Sequence, residues 1–345
     1  MNEKIKFYIA DAAGNVTLFV TSHVSEQDYA RVAGMLLDKE DLGGEQVAFV
    51  VDENTMCMCG HEFCGNASRA FALMKAKGLI RGSVQSHNIT DEADRVATLC
   101  SDPSDISVQN HNYDPSDVSV QNHNYDPSGD LAQNHNAKSD PLTITINTSG
   151  APCPLDVMVV PATDYTKIKM PNPVSFSELS DCPLEAANGS PIVDMDGIVH
   201  VIVRSLEPTS ENFRIIKDHI LKNSSDVPAL GVMFVDDKPR TYSDPASGVA
   251  SVFDDSQTHS QNIPTITMTP VVYVRDVDST FFEGSCGSGT TALCASLSKN
   301  KDDGSYVCRV RQPRGTITCT CNIKDDQVDS IYIEGSVSIS EEHEL

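Results

Sequence analysis

Short runs in which apolar and polar positions alternate dominate this chain. Residues 4–10 (KIKFYIA), 15–22 (NVTLFVTS) and 45–52 (EQVAFVVD) open it, followed by 142–149 (LTITINTS), 155–160 (LDVMVV), 198–205 (IVHVIVRS) and 230–237 (LGVMFVDD). Residues 270–276 (PVVYVRD), 315–321 (GTITCTC) and 329–340 (DSIYIEGSVSIS) continue the series. A period of two with β-branched content predicts strands. A helix is expected over about 26–39. Two further segments break the alternation. Residues 64–75 are apolar or small nearly all round, and 284–298 carry no charge. A helix apolar on every side is a buried helix. Each is expected to be wrapped by the strands of its own half, which gives an α+β protein of two similar domains.

One region has neither period. DPSDISVQNHNY (102–113) is followed by DPSDVSVQNHNY (114–125) and by a decayed copy, DPSGDLAQNHN (126–136). Too few apolar side chains are present to offset chain entropy. The segment from about 82 to 140 is therefore expected to be a disordered, low-complexity insertion. His111, His123 and His135 recur at the repeat period and suggest weak metal binding; a solvated loop accounts for them more simply.

The chain has 345 residues with 25 basic against 49 acidic side chains, a net charge of −24. Such a polyanion is a poor partner for nucleic acid or an anionic membrane, and a small polar ligand is the better expectation. The N-terminal stretch lacks a secretory apolar core. No segment approaches the roughly 18 apolar residues of a membrane span. A cytoplasmic protein is expected, with its eleven cysteines mostly reduced thiols.

The chemistry concentrates where the two buried helices begin. Cys64-Gly-Asn-Ala-Ser-Arg-Ala and Cys286-Gly-Ser-Gly-Thr-Thr-Ala share a Cys-Gly-polar-small start with alanine three residues later. Small and polar residues ahead of an apolar run mark a helix N-terminus. A cysteine there meets the positive end of the helix dipole, which favours thiolate. The N–H groups after it form an anion site. Two such turns facing each other would hold a substrate carboxylate between them, with one thiol on each face of the α-carbon. A thiolate removing the α-proton and a thiol delivering one from the other side would invert the centre without a cofactor.

Other readings stand beside this one. Cys57, Cys59, His61 and Cys64 crowd into eight residues and could bind zinc, with Cys319 and Cys321 as a distant pair. Both C-x-C pairs also fit ordinary strands carrying small apolar thiols. GSCGS approaches a nucleophile elbow, with Ser288 where the second glycine belongs. His200, His219 and His259 are possible thiol partners for a hydrolase.

At the two cysteine turns the chain resembles the diaminopimelate epimerase-like superfamily of cofactor-independent racemases and epimerases, whose paired cysteines lie in motifs like CGN and CGSG. The resemblance covers most of the chain outside the insertion. It implies two pseudo-duplicated domains, each a mixed sheet or barrel around a central helix: residues 1–172 with Cys64, 173–334 with Cys286, and 335–345 returning to the first domain. It implies Cys64 and Cys286 as the acid/base pair, and Asn15, Gln46 and Asn66 as substrate-binding residues. Gly65, Asn66, Gly287 and Ser288 would cradle the α-carboxylate. No cofactor and no metal are assigned. The ERG motif of diaminopimelate epimerases is missing, Arg275 being followed by Asp276, and GNPH reads GIVH over 197–200. The closer resemblance is to histidine racemases of staphylopine-type metallophore pathways, through Gly14-Asn15, Glu45-Gln46-Val47, 62–67, 283–290 and 312–315, departing at Arg314. That resemblance implies histidine as substrate, with diaminopimelate or another amino acid as the alternative. An imidazole needs polar partners; Glu45, Gln46 and Glu283 are the candidates. A homodimer is one assembly compatible with this reading.

Overall fold

The computed structural model describes residues 4–80, 140–224, 227–236, 263–275 and 278–345. The repeats, their histidines, His259 and Asp276 lie outside these residues. Among the described residues the fold is a mixed β-sheet assembly with few helices.

Strands β1 (Lys6–Ala12) to β7 (Tyr165–Met170) come from the first half: β2 is Asn15–Val20, β3 Gln46–Val50, β4 Thr55–Met58, β5 Leu142–Thr148 and β6 Leu155–Val160. They pair in sequence order, with β2–β3 and β4–β5 parallel and the other pairs antiparallel. The long strand β16 (Gln327–Ile339) closes them into a ring. Its middle pairs with β7 from Ile331↔Met170 to Ser336↔Tyr165, and its end pairs with β1 from Val337↔Ala12 to Ile339↔Ala10. β17 (His343–Glu344) also pairs with β1. Closure leaves no free edge in the ring. Helix α1 (Tyr29–Leu37), preceded by a short 3-10 turn, packs outside it on Phe49, Val47 and Leu18. Helix α2 (Gly65–Ala76) buries ten of its twelve residues and contacts β1, β5, β6, β7 and β16. That is why its sequence has no polar face.

The second half continues from β16 through β15 (Thr316–Lys324), β14 (Gly304–Arg311) and β12 (Thr265–Val274) to β11 (Ala229–Asp236), β10 (Ile198–Arg204), β9 (Pro191–Asp194) and β8 (Ser175–Glu178). β13 (Ser279–Phe282) is an added strand on β12. Helix α3 (Ser210–Asn223) and helix α4 (Gly287–Ser298) lie on the two faces. Phe213, Ile216 and Ile220 of α3 pack on Val201, Val203, Val232 and Phe234. α4 contacts β9, β10, β11, β14, β15 and β16.

The alternating runs found their strands, but α3 was not anticipated. Its signals are in the chain: Thr209 caps it by accepting from the Asn212 N–H at 3.1 Å, and apolar positions recur at 213, 216 and 220. β10 and β11 are parallel, so the segment between them must cross over, and a helix is the usual means. β7, β8, β9, β13, β14 and β17 were also missed. In β7 the residues of the outward face include Lys167 and Lys169, which dilutes the apolar signal. No helix among the described residues is long and apolar enough to cross a membrane.

A candidate active site at two matching helix starts

Cys64 and Cys286 occupy the same local geometry. Each is the residue before a helix, with extended backbone: φ −126°, ψ 108° at Cys64 and φ −120°, ψ 114° at Cys286. Each Sγ accepts from the backbone N–H three residues on, Ala67 at 3.5 Å and Gly289 at 3.3 Å. A thiol thus does what Ser or Asp usually does at a helix start. The amides of Gly65 and Asn66, and of Gly287 and Ser288, precede the first intrahelical bonds, made by Ser68 and Thr290; such groups are the anion-binding donors of a helix N-terminus.

The two starts meet across one side chain. A Cβ on Gly65 would lie 3.2 Å from Ile333 Cδ1, and one on Gly287 would lie 3.1 Å from the same methyl. Gly287 also faces the Asn66 carboxamide, with its notional Cβ 3.5 Å from Oδ1. At Gly65 a Cβ would come within 2.6 Å of Met170 Sδ. Glycine after each cysteine suits this packing: β16 brings Ile333 between the helices, and a Cβ at either position would require the Ile333 or Met170 side chain to give way.

A polar network surrounds Cys64. Gln46 Nε2 lies 3.2 Å from Cys64 Sγ, 2.7 Å from Asn15 Oδ1 and 2.8 Å from Thr17 Oγ1. Asn15 Nδ2 donates to Glu45 Oε2 at 3.2 Å. Glu45 Oε1 accepts from the Gly284 N–H at 3.3 Å and from Arg314 Nη1 at 3.0 Å. Asn15, Gln46, Glu45 and Cys64 are thereby brought together and tied to the segment leading into Cys286. The Ala13–Gly14 turn has positive φ at both residues, the form that suits a two-residue hairpin. It lies directly beneath the 314–315 backbone, so a Cβ on Gly14 would sit 2.4 Å from the Arg314 carbonyl carbon.

Cys286 has its own supports. Its N–H donates to Gln312 Oε1 at 2.8 Å, while Gln312 Nε2 donates to Thr290 Oγ1 at 3.0 Å and Ser285 Oγ at 3.3 Å. Ser288 Oγ lies 3.5 Å from its Sγ. Glu283 hydrogen-bonds the thiol and has one buried carboxylate oxygen with no partner in the protein. Burial, and secondarily the charge of Glu45, raises the Glu283 carboxyl to about 7.

The electrostatics correct one expectation. The helix starts do not leave both cysteines as low-pKa thiols. Burial raises Cys64, offset only in part by the Ala67 N–H and the Gln46 amide. Burial and then the Glu283 charge raise Cys286 further, well above the ordinary thiol range. Desolvation of a thiolate outweighs two or three favourable donors here. The two sites are unequal: Cys64 has a neutral amide donor on its sulfur, whereas Cys286 has a carboxylate beside it.

The metal reading finds no support in the arrangement. Cys57 packs in the cluster under α1 with Tyr29 and Phe49, and its Sγ lies 3.3 Å from His61 Nδ1. Cys64 faces the other cluster, lined by α2. Cys319 and Cys321 are buried strand thiols packed with Cys294 and Cys308. Among the described residues no group of three or more His, Cys, Asp or Glu is placed to hold a metal ion. Nor, among the described residues, does a histidine reach Cys64 or Cys286: His200 is sealed in the core, its pKa lowered by burial to about 3, and His219 Nε2 contacts the Ser180 carbonyl at 2.9 Å. Two residues of the site were not anticipated in their roles. Gln312 stood in a quoted motif, but its contact with Cys286 is tertiary. Arg69 is a charge in the middle of a helix of mostly apolar and small residues, and that position is its signal in the sequence.

The chain is similar to known racemases and epimerases. The family model described as the histidine racemase CntK N-terminal domain matches residues 4–99 and 262–344, segments that contain both cysteines. A histidine racemase of Fusobacterium nucleatum subsp. nucleatum is 26% identical over 338 residues, covering 97% of this chain and 94% of that protein. A histidine racemase of Staphylococcus aureus is 21% identical over 326 residues, covering 92% and 88%. In fold, the chain is similar to a hydroxyproline epimerase from Agrobacterium vitis with bound trans-4-hydroxy-L-proline, at TM-score 0.50 and 12% identity over 100% of this chain and 91% of that one. It is similar also to a probable proline racemase from Agrobacterium radiobacter K84, at TM-score 0.51 and 11% identity over 98% and 92%. The chain belongs to the family of the histidine racemase CntK N-terminal domain, and it is an isomerase of the amino acid racemase class.

Proposed function

We propose that this protein racemises histidine by moving protons between the α-carbon and two opposed thiols, Cys64 and Cys286, without a cofactor. The observation that carries the reading is the matched pair of cysteine-capped helix starts meeting across Ile333. Of the two, Cys64 ionises the more readily and serves as the base toward one enantiomer, because its sulfur has the Gln46 side-chain amide as a donor whereas Cys286 has Glu283 beside it. Cys64 takes the α-proton from one face as Cys286 delivers its proton to the other; the reverse turnover exchanges the roles. The amides of Gly65, Asn66, Gly287 and Ser288 hold the α-carboxylate and the negative charge that builds on it. Such donors act strongly in a water-poor site. Asn15 and Gln46 hold the substrate beside Cys64. Glu45 and Glu283 face the imidazole. A carboxyl raised to about 7 can donate in one state and accept in the other, as an imidazole requires of its partners.

In the same reading residues 1–172 and 173–334 are repeated units, each built around its cysteine-capped helix, and 335–345 return to the first. The chain works in the cytoplasm as a homodimer. L-Histidine incubated with the protein should lose optical activity and yield D-histidine by chiral chromatography. In D₂O the inverted product should carry deuterium at the α-carbon. Faster turnover of meso-diaminopimelate than of histidine would reverse the substrate assignment.

A further inference from the structure

Arg69 is fully buried, and among the fully buried side chains it ranks with the largest. It lies in the middle of a helix of apolar and small residues, a costly place for a cation unless each donor is used. Nη1 donates to the Gly335 carbonyl at 3.1 Å and to Thr166 Oγ1 at 3.4 Å; Nη2 donates to Asn66 Oδ1 at 2.9 Å; Nε has no partner in the protein. Gly335 and Thr166 are register partners on β16 and β7, at the point where β16 passes from β7 to β1. Asn66 precedes Arg69 by three residues, so both occupy one face of the helix. Burial lowers the guanidinium pKa to about 10, offset in part by Tyr165, Cys64 and Glu334 nearby, so it stays charged at neutral pH.

A guanidinium has donors only. Whatever atom of Asn66 faces Arg69 must be the oxygen, which decides which way the carboxamide is turned. Its NH₂ group is then the free end, in a side chain whose oxygen and Cγ lie against the start of α4. We propose that Arg69 is a positioning residue that locks the Asn66 carboxamide with its NH₂ toward the meeting point of the two helix starts, where it donates to a carboxylate beside Cys64. The inference deepens the proposed site at Cys64 and does not depend on histidine being the substrate.

The test uses alkylation, which needs no turnover. Iodoacetate and iodoacetamide attack through the same carbon and leaving group and differ in the carboxylate. Their rate ratio at Cys64, read by mass spectrometry of its peptide and normalised to exposed Cys153, reports the donors around an anion there. The wild-type protein should favour iodoacetate at Cys64 relative to Cys153. Arg69→Met and Asn66→Ala should each lower that ratio by roughly tenfold, the scale of one hydrogen bond to a charged group. The double variant should fall no further, because the two act as one unit. Arg69→Lys keeps the charge without the fork and should also lose the preference. Asn66→Asp keeps the pairing with Arg69, so it is the folded control if Arg69→Met unfolds, and it should lose the preference too. A wild-type ratio equal to that of Cys153, multiplicative losses in the double variant, a normal ratio in Arg69→Lys, or a retained preference in Asn66→Asp would each overturn the assignment. Failure of the wild type to invert histidine would strike the substrate reading alone and leave these ratios standing.

Discussion

Gln46 Nε2 donates to Cys64 Sγ at 3.2 Å, and no comparable amide faces the sulfur of Cys286 among the described residues. The two helix starts agree in backbone to within a few degrees, yet their sulfurs sit in different electrostatic settings. One local motif, used twice, becomes a pair of unlike thiols through what the rest of the fold places beside each.

Replacing either Cys64 or Cys286 with serine should lower racemisation by orders of magnitude in both directions, since a hydroxyl is a far poorer base. Each variant should fail to give deuterium-labelled inverted product in D₂O, while slow exchange of the α-proton persists from the side of the intact thiol. Cys57→Ser and Cys59→Ser should retain inversion. Equal damage from Cys57→Ser in a folded protein would show that the cluster acts as a unit.

Gln46→Glu should be more harmful than its small change in shape suggests. The amide donates toward Cys64, Asn15 and Thr17; a carboxylate in its place would put negative charge beside the thiolate and raise the Cys64 pKa further. We expect kcat/KM to fall by roughly 10- to 100-fold, the range for losing a hydrogen bond to a charged group. The alkaline limb of the pH profile should recover part of the loss. A profile shifted to lower pH would contradict this.

The Glu283 carboxyl is raised by burial to about 7, so it gains a proton as pH falls through that value. An activity that uses its carboxylate should decline there, and the Glu283→Gln profile should lack that inflection. The sign for stability is set by the same shift. Folding favours the protonated form, so its stabilisation is full below the unfolded carboxyl's value and is lost as pH rises through about 7. Denaturant unfolding of Glu283→Gln across pH 5–8 should show a shallower decline than wild type.

Gln312→Leu removes the acceptor for the Cys286 N–H and the donor to Thr290 and Ser285, all in a buried site. Leaving those groups unpaired should cost about 1–3 kcal/mol in denaturant unfolding. It should also slow racemisation without affecting alkylation of Cys64.

The three copies over 102–136 lie outside both segments matched by the family model. Replacing them with a short Gly/Ser bridge should leave fold and activity largely intact, since each doubling of loop length costs only about 0.6 kcal/mol. A folded, monodisperse deletion variant without activity would give the repeats a role in turnover.

Much of this protein is set by local pattern. Alternation in a run such as 316–321 settles as strand because every second residue is buried, while 15–20 is buried throughout, and the apolar all-round segments at α2 and α4 can only be interior helices. The repeated Cys-Gly start carries its own geometry, since a capping side chain and an extended residue before the helix are set within a few residues. α3 is equally local, with apolar positions spaced at 213, 216 and 220. Other features are not local. The closing of the ring by β16, the meeting of Gly65 and Gly287 across Ile333, and the seat of Gln312 on Cys286 join residues far apart in sequence. No period or propensity encodes such pairings. Burial is the same kind of quantity: the helix start alone argues for a thiolate, and only the packed surroundings, by removing water, push both thiols the other way and push Cys286 further than Cys64.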